Sequence, residues 1–188
     1  MNLPNKITVA RIALIPLMVI FFYIPLKNGV NLLIASLIYA LAACTDFIDG
    51  YLARSRNEVT DIGKFLDPIA DKLLVVIALF LIVESSVIRP NGLCAVLSGL
   101  IISRELLIGA LRQIAATKNI VISADKLGKI KTVFTNFSLP MLLAAPIDKF
   151  NILYYTGYVL FIIAALMTVI SGINYFIKNR KVFSEDGN

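Results

Sequence analysis

Six stretches of this chain, 12–26, 28–45, 73–83, 90–103, 132–147 and 150–177, contain no Asp, Glu, Lys or Arg. Inside hydrocarbon there is no water to pair backbone N–H and C=O groups, and a helix satisfies them within one segment. A spanning helix needs roughly 20 apolar residues. Several of the runs are shorter, but each extends into flanks with only one or two charges. The chain is 59% hydrophobic and 16% charged, whereas a soluble domain sits at about 45–50% and about 25%. The expectation is an all-α integral membrane protein with six transmembrane helices in one bundle, at 7–27, 31–54, 65–86, 91–117, 127–147 and 151–178. Residues 1–6 are expected to form a short N-terminal interfacial segment.

No linker, internal repeat or low-complexity tract interrupts residues 1–188, so a single domain is expected. Lys6 and Arg11 ahead of an apolar run superficially resemble a signal peptide. No small-x-small site follows Leu26, which favours an uncleaved first helix. Asn28-Gly29, Pro90-Asn91-Gly92 and Pro146-Ile147-Asp148 punctuate one set of turns, and the polar tail 178–188 is expected to fray.

The net charge of +6 could suggest nucleic acid, but its placement does not. With the N-terminus inside, only Lys27, Arg89 and Lys149 of the 18 basic residues fall on the outer side. The excess of Lys and Arg marks the cytoplasmic face. Both termini are therefore expected in the cytoplasm, in a multi-pass protein of the cell membrane. The chain has no histidine, which removes imidazole acid–base chemistry, His metal sites and Ser-His-Asp triads. Cys44 and Cys94 fall at opposite ends of their helices, so no disulfide is expected.

Into this apolar chain are set Asp46 and Asp49, one helical turn apart, and eighteen residues on, Asp67 and Asp71. Acids in such a setting are costly and mark function by default. Residues three and four apart share a helix face, and the short polar connection 55–64 sets the two halves at one depth on antiparallel helices, at the cytoplasmic edge. Four carboxylates gathered there need positive charge, which a pair of divalent ions supplies. Oxygen-only ligation favours Mg²⁺ or Mn²⁺. Mg²⁺ completes its shell with water and phosphate, so a phosphorylated substrate is the natural partner. Gly50 and Ala53 leave room for a flat group or a phosphate, and Arg54 can neutralise phosphate or brace an aspartate. Structural ion pairs with Arg54, Lys64 or Lys72 are the competing account. Glu58 and Asp61 read as solvated turn residues.

The string D-x2-D-G-x2-A-R-x8-G-x3-D-x3-D, matched at every position from Asp46 to Asp71, resembles the signature of the CDP-alcohol phosphatidyltransferase family. Six helices with the motif between the second and third are similar to that family's fold over the whole chain. The resemblance implies that Asp46, Asp49 and Asp67 bind two metal ions, with Asp71 adding ligation and acting as general base. It also implies that Gly50, Ala53, Arg54 and Thr60 border the CDP moiety of CDP-diacylglycerol, and that a homodimer forms. The opening Pro4-Asn5-Lys6-Ile7-Thr8-Val9-Ala10-Arg11 is similar to the family's N-terminal stretch. By that likeness Asn5, Thr8 and Arg11 approach the nucleotide or hold the motif hairpin.

A second cluster is basic. Arg104 lies deep in the fourth helix, Arg112 two turns on, and Lys129 and Lys131 open the fifth. An arginine at that depth should face the bundle interior or a wet cavity. Together the four suggest a cationic pocket beside the metals, suited to an acceptor alcohol carrying its own phosphate. Neutralisation of Arg104 by Glu105, and lysines serving only as positive-inside anchors, remain the alternatives. Asp125 reads as a helix cap, and Glu84 has no assigned role. The Ser103-Arg104-Glu105 and Gly128-Lys129-x-Lys131-Thr132 strings resemble the phosphatidylglycerophosphate synthase branch, which implies glycerol 3-phosphate as acceptor and CMP as leaving group. Other acceptors within the family, inositol phosphate, serine or phosphatidylglycerol, stand beside it. From other classes come a divalent-cation transporter and a membrane prenyltransferase. Against the transporter, no acid lines the outer half; against the prenyltransferase, no D-D-x-x-D grouping occurs.

Overall fold

Prolines and left-handed residues set the ends of the helices in the computed structural model, which describes residues 3–56, 61–117, 126–147 and 151–179. Side chains at 3–4, 46–56, 61–65, 67, 116–117 and 126 lie outside that description. Helix α1, Leu3–Tyr23, stops just before Ile24-Pro25, because a residue preceding proline is crowded out of the helical region. Asn28 and Gly29, at φ 58 and 71, turn the chain into α2, Val30–Arg56. A side chain at Gly29 would also meet Ile147, 3.1 Å from its Cβ position. Helix α3, Asp61–Ser85, ends at Ser86 with φ 53, and α4, Asn91–Thr117, starts directly after Pro90. Helix α5, Lys126–Ala144, runs into a 3-10 turn at Ala145–Ile147. Asn151, at φ 56, opens α6, Ile152–Lys178.

These helices form an all-α integral membrane bundle, and the described residues contain no strand. Five of the six, all but α3, are long and apolar enough by themselves to cross a membrane. Helix α3 departs because its first half carries Asp61, Lys64, Asp67, Asp71 and Lys72, with the uncharged stretch 73–83 only beyond them. It packs against α1, α2, α4 and α5, so its neighbours cover much of the helix with the most charges.

One boundary differs from expectation in a way that matters. Residues 3–6 are not a separate interfacial segment: they form the first turn of α1. Pro4 is tolerated there because its missing N–H has no intrahelical partner in the first turn. Asn5, Thr8 and Arg11, three residues apart, form one inward stripe and are all buried.

Large apolar side chains cover the outside of the bundle, unlike that of a soluble protein, and some polar ones are buried. Phe80, Leu106, Leu107 and Val159 lie mostly exposed, facing outward, while Arg11, Thr135, Ser138 and Ser171 are buried. Small residues let helices approach closely, as membrane interfaces require. The extensive α5–α6 contact turns on Gly157, where a Cβ would fall 3.0 Å from that of Met141 and 3.3 Å from the Leu142 amide nitrogen. Ala35, Ala42, Ala78 and Ala165 serve the same end in the core around Tyr39, Leu79 and Phe161.

Candidate active site

Antiparallel connection brings the C-terminal ends of α2, α4 and α6 and the N-terminal ends of α1, α3 and α5 to one side of the bundle. The acidic motif and the basic cluster belong to that side. Backbone at Asp46 and Asp49 is helical within α2, and at Asp67 and Asp71 within α3. The two helices pack together, as the expected motif hairpin requires. The side chains of Asp46, Asp49, Gly50, Ala53, Arg54 and Asp67 lie outside the described residues, and so does Thr60 entirely.

Asp71 is described, and it is half-buried. It borders a cavity of about 260 Å³ to which four helices contribute. Helix α3 supplies Pro68, Asp71 and Lys72; α4 supplies Arg104, Glu105 and Arg112. Helix α5 adds Gly128, Lys129 and Thr132, and α6 adds Tyr175. Three of the four predicted acceptor-site cations, Arg104, Arg112 and Lys129, therefore meet Asp71 around one space.

The fourth is turned aside. Lys131 is buried, and its Nζ donates to Glu105 Oε1 at 2.6 Å across the α4–α5 contact. Arg104 Nη1 reaches the same oxygen at 2.9 Å. Burying ions costs less when each is paired, and Lys131, 3% exposed at its side chain, has the stronger need. Lys131 lines a smaller adjoining cavity of about 30 Å³ with Asp71 and Lys72. Glu105 thus pairs with Arg104, as the competing sequence reading had it, and with Lys131 as well, one carboxylate shared between two cations.

Two glycines admit Arg104. A Cβ on Gly128 would lie 2.9 Å from its Nη2, and one on Gly172 would lie 3.5 Å from its Cγ. The Arg104 Nε is buried without a hydrogen-bond partner among the described residues. An unsatisfied buried donor of this kind is costly and leaves capacity for an anion in the cavity.

Arg112 is held differently. Its Nε donates to the Tyr175 hydroxyl at 3.1 Å, and the guanidinium carbon lies 5.7 Å from the Tyr175 ring centroid. Tyr175 was missed in the sequence. The available signal was one phenol near the motif-side end of an otherwise apolar helix, a turn before Lys178.

On α1, the Arg11 Nε points at the Thr45 hydroxyl at 3.5 Å, and Thr45 in turn donates to Ala42 O at 2.7 Å. Arg11 therefore touches the residue that immediately precedes Asp46. Asn5 and Thr8 sit buried on the same stripe of α1, which packs on α2 and α3.

An apolar groove of about 500 Å³ runs between α2 and α5 past Ala40, Ala43, Val133, Phe137 and Pro140. Lys129 and Thr132 line both this groove and the cationic cavity. An apolar channel thereby meets a cationic, acid-flanked chamber, which is the shape of a site for an amphiphile with an anionic head.

Comparison with known proteins points the same way. A family model described as CDP-alcohol phosphatidyltransferase matches residues 1–170. The chain is 39% identical to a CDP-diacylglycerol–glycerol-3-phosphate 3-phosphatidyltransferase of Rickettsia bellii over 184 residues, 97% of each chain. It is 39% identical to the Bacillus subtilis protein of that name, with 95% of each chain covered. A Salmonella choleraesuis protein of the same name is 37% identical, covering 93% of this chain and 92% of its own.

Proposed function

The chain belongs to the CDP-alcohol phosphatidyltransferase family, and from that premise we propose that it transfers the phosphatidyl group of CDP-diacylglycerol to glycerol 3-phosphate. The products are phosphatidylglycerophosphate and CMP. One observation carries the acceptor assignment: Arg104, Arg112 and Lys129 share a cavity with Asp71. A neutral acceptor has no use for three cations there. Relatives from three bacterial genera with the same printed activity support the same assignment.

Divalent-metal dependence is general to the family. Asp46, Asp49, Asp67 and Asp71 would hold two ions, Mg²⁺ or Mn²⁺. The fit is one of donor chemistry and register: carboxylate oxygens only, at i/i+3 on α2 and i/i+4 on α3. Bound there, the ions would neutralise the pyrophosphate and stabilise the departing phosphate.

The remaining steps belong to the side chains. The nucleotide lies against Gly50, Ala53, Arg54 and Thr60, with Asn5 and Thr8 of α1 beneath it. An acyl chain follows the α2–α5 groove. Arg104, Arg112 and Lys129 hold the acceptor phosphate, with Lys131 kept behind them by Glu105. Asp71 takes the proton of the primary hydroxyl, whose oxygen bonds to the phosphorus bearing the diacylglycerol. The bond from that phosphorus to the bridging oxygen breaks, and CMP leaves with the electron pair. Holding the two partners in line supplies much of the acceleration.

The reading places the site at the cytoplasmic face of the cell membrane, supported by the bias of Lys and Arg. A homodimer is part of the reading on family resemblance alone. The test is CMP release by purified protein given CDP-diacylglycerol and, in separate reactions, glycerol 3-phosphate, inositol phosphate, serine or phosphatidylglycerol. Glycerol 3-phosphate is expected to support turnover far above the rest; preference for any other acceptor overturns the assignment.

A further inference from the structure

Lys72 follows Asp71 on α3, about 100° further round the helix, yet both line the same cavity. Its ammonium lies over α4. At Gly109 a Cβ would collide with Lys72 Nζ and stand 3.7 Å from its Cε. A side chain on Gly109 would displace Nζ from the notch it occupies. Glycine weakens a helix interior, so its presence in the middle of α4 calls for a spatial reason, and the Lys72 ammonium supplies one.

The two arginines at the cavity have their own attachments. Arg104 is paired with Glu105, and Arg112 rests on Tyr175. Among the described residues no carboxylate lies within ion-pairing distance of Lys72 Nζ. A half-buried ammonium with no counter-charge among the described residues is costly, and an anion in the cavity offsets that cost. Lys72 also lines the smaller cavity, together with Asp71 and Lys131.

We propose that Lys72, seated in the notch at Gly109, is a further acceptor-phosphate ligand and sets the preference for a phosphorylated over a neutral acceptor. This rests on the acceptor reading above. It extends that reading to a residue whose sequence context suggested only a structural ion pair.

The test is a double-mutant cycle read by KM for glycerol 3-phosphate at saturating CDP-diacylglycerol. It is also read by the shift in Tm that glycerol 3-phosphate produces. Lys72→Met is expected to raise KM about tenfold or more, as loss of a charge-assisted contact does, with a smaller change in kcat and a diminished Tm shift. Gly109→Ala, which should favour the helix, is expected to raise KM by displacing the ammonium, and to add nothing in the Lys72→Met background. An unchanged KM in Lys72→Met overturns the proposal. A Gly109→Ala effect of equal size in both backgrounds overturns it too, since the glycine would then act by packing alone. Should Lys72→Met fail to fold, Gly109→Ala alone decides: retained Tm with raised KM supports the notch, and unchanged KM overturns it. Wild-type protein that does not use glycerol 3-phosphate overturns the acceptor reading itself. Wild-type turnover with an unaffected Lys72→Met overturns only this inference.

Discussion

Lys131 Nζ and Glu105 Oε1 lie 2.6 Å apart, joining α5 to α4 immediately behind the cationic cavity. The lysine side chain is only 3% exposed and the glutamate 27%, so the two ends of the pair bear unequal risk. Removing the acid strands a buried charge, whereas removing the base leaves an acid that still holds Arg104 and reaches water.

Glu105→Gln should therefore destabilise more than Lys131→Met, by about 1–3 kcal/mol. Adding Lys131→Met to Glu105→Gln should recover part of the loss. Thermal unfolding in detergent, followed for both single variants and the double, measures this. Equal losses from the two single changes would show that burial does not set the balance.

Asp71→Asn keeps the shape of the side chain and removes its basicity. CDP-diacylglycerol binding should persist while turnover falls by about 10²–10⁴-fold, the usual worth of general-base help. Binding is measured with labelled CDP-diacylglycerol and turnover by CMP release. Turnover near normal would refute the role of Asp71 as base.

Tyr175→Phe retains the ring over Arg112 and deletes the oxygen that accepts from its Nε. A hydrogen bond from a charged donor is worth about 1.5–3 kcal/mol, less where water reaches it, as it does the exposed Arg112. KM for glycerol 3-phosphate should rise several-fold, with kcat and Tm nearly kept. Tyr175→Leu, which also removes the ring face, should cost more. A KM unaffected by either change would detach Tyr175 from the acceptor site.

Chelation should abolish CMP release, and Mg²⁺ or Mn²⁺ should restore it, since only oxygen donors are offered and hard ions prefer them. Asp46→Asn and Asp49→Asn should need more metal for half-maximal activity. Full activity after exhaustive chelation would remove the ions from the reaction.

Much of the candidate site could be read in one dimension because its determinants are local. The spacings within Asp46–Asp49 and Asp67–Asp71 follow from helical pitch, and the uncharged runs follow from bilayer thickness. Arg104 and Arg112, which line one cavity with Asp71, could be singled out because charge deep in an apolar helix has few places to go. Helix α1 starts earlier than the expected residue 7, and the buried stripe of Asn5, Thr8 and Arg11 on its first turns depends on packing against other helices. Lys131 was grouped with the ligand-binding cations because charge alone does not say which anion a lysine will meet.

Sequence by itself determined the solvent this chain folds in, the number of long helices, and the end of the bundle that bears the acids. Each depends on hydropathy and on periodicities of a few residues. Only the tertiary structure decided which cations share a space. Lys131 answers to Glu105, Arg112 to Tyr175 and Lys72 to the notch at Gly109. Those pairings join different helices, and they are chosen by which small residue lets two helices come close enough for a side chain to pass.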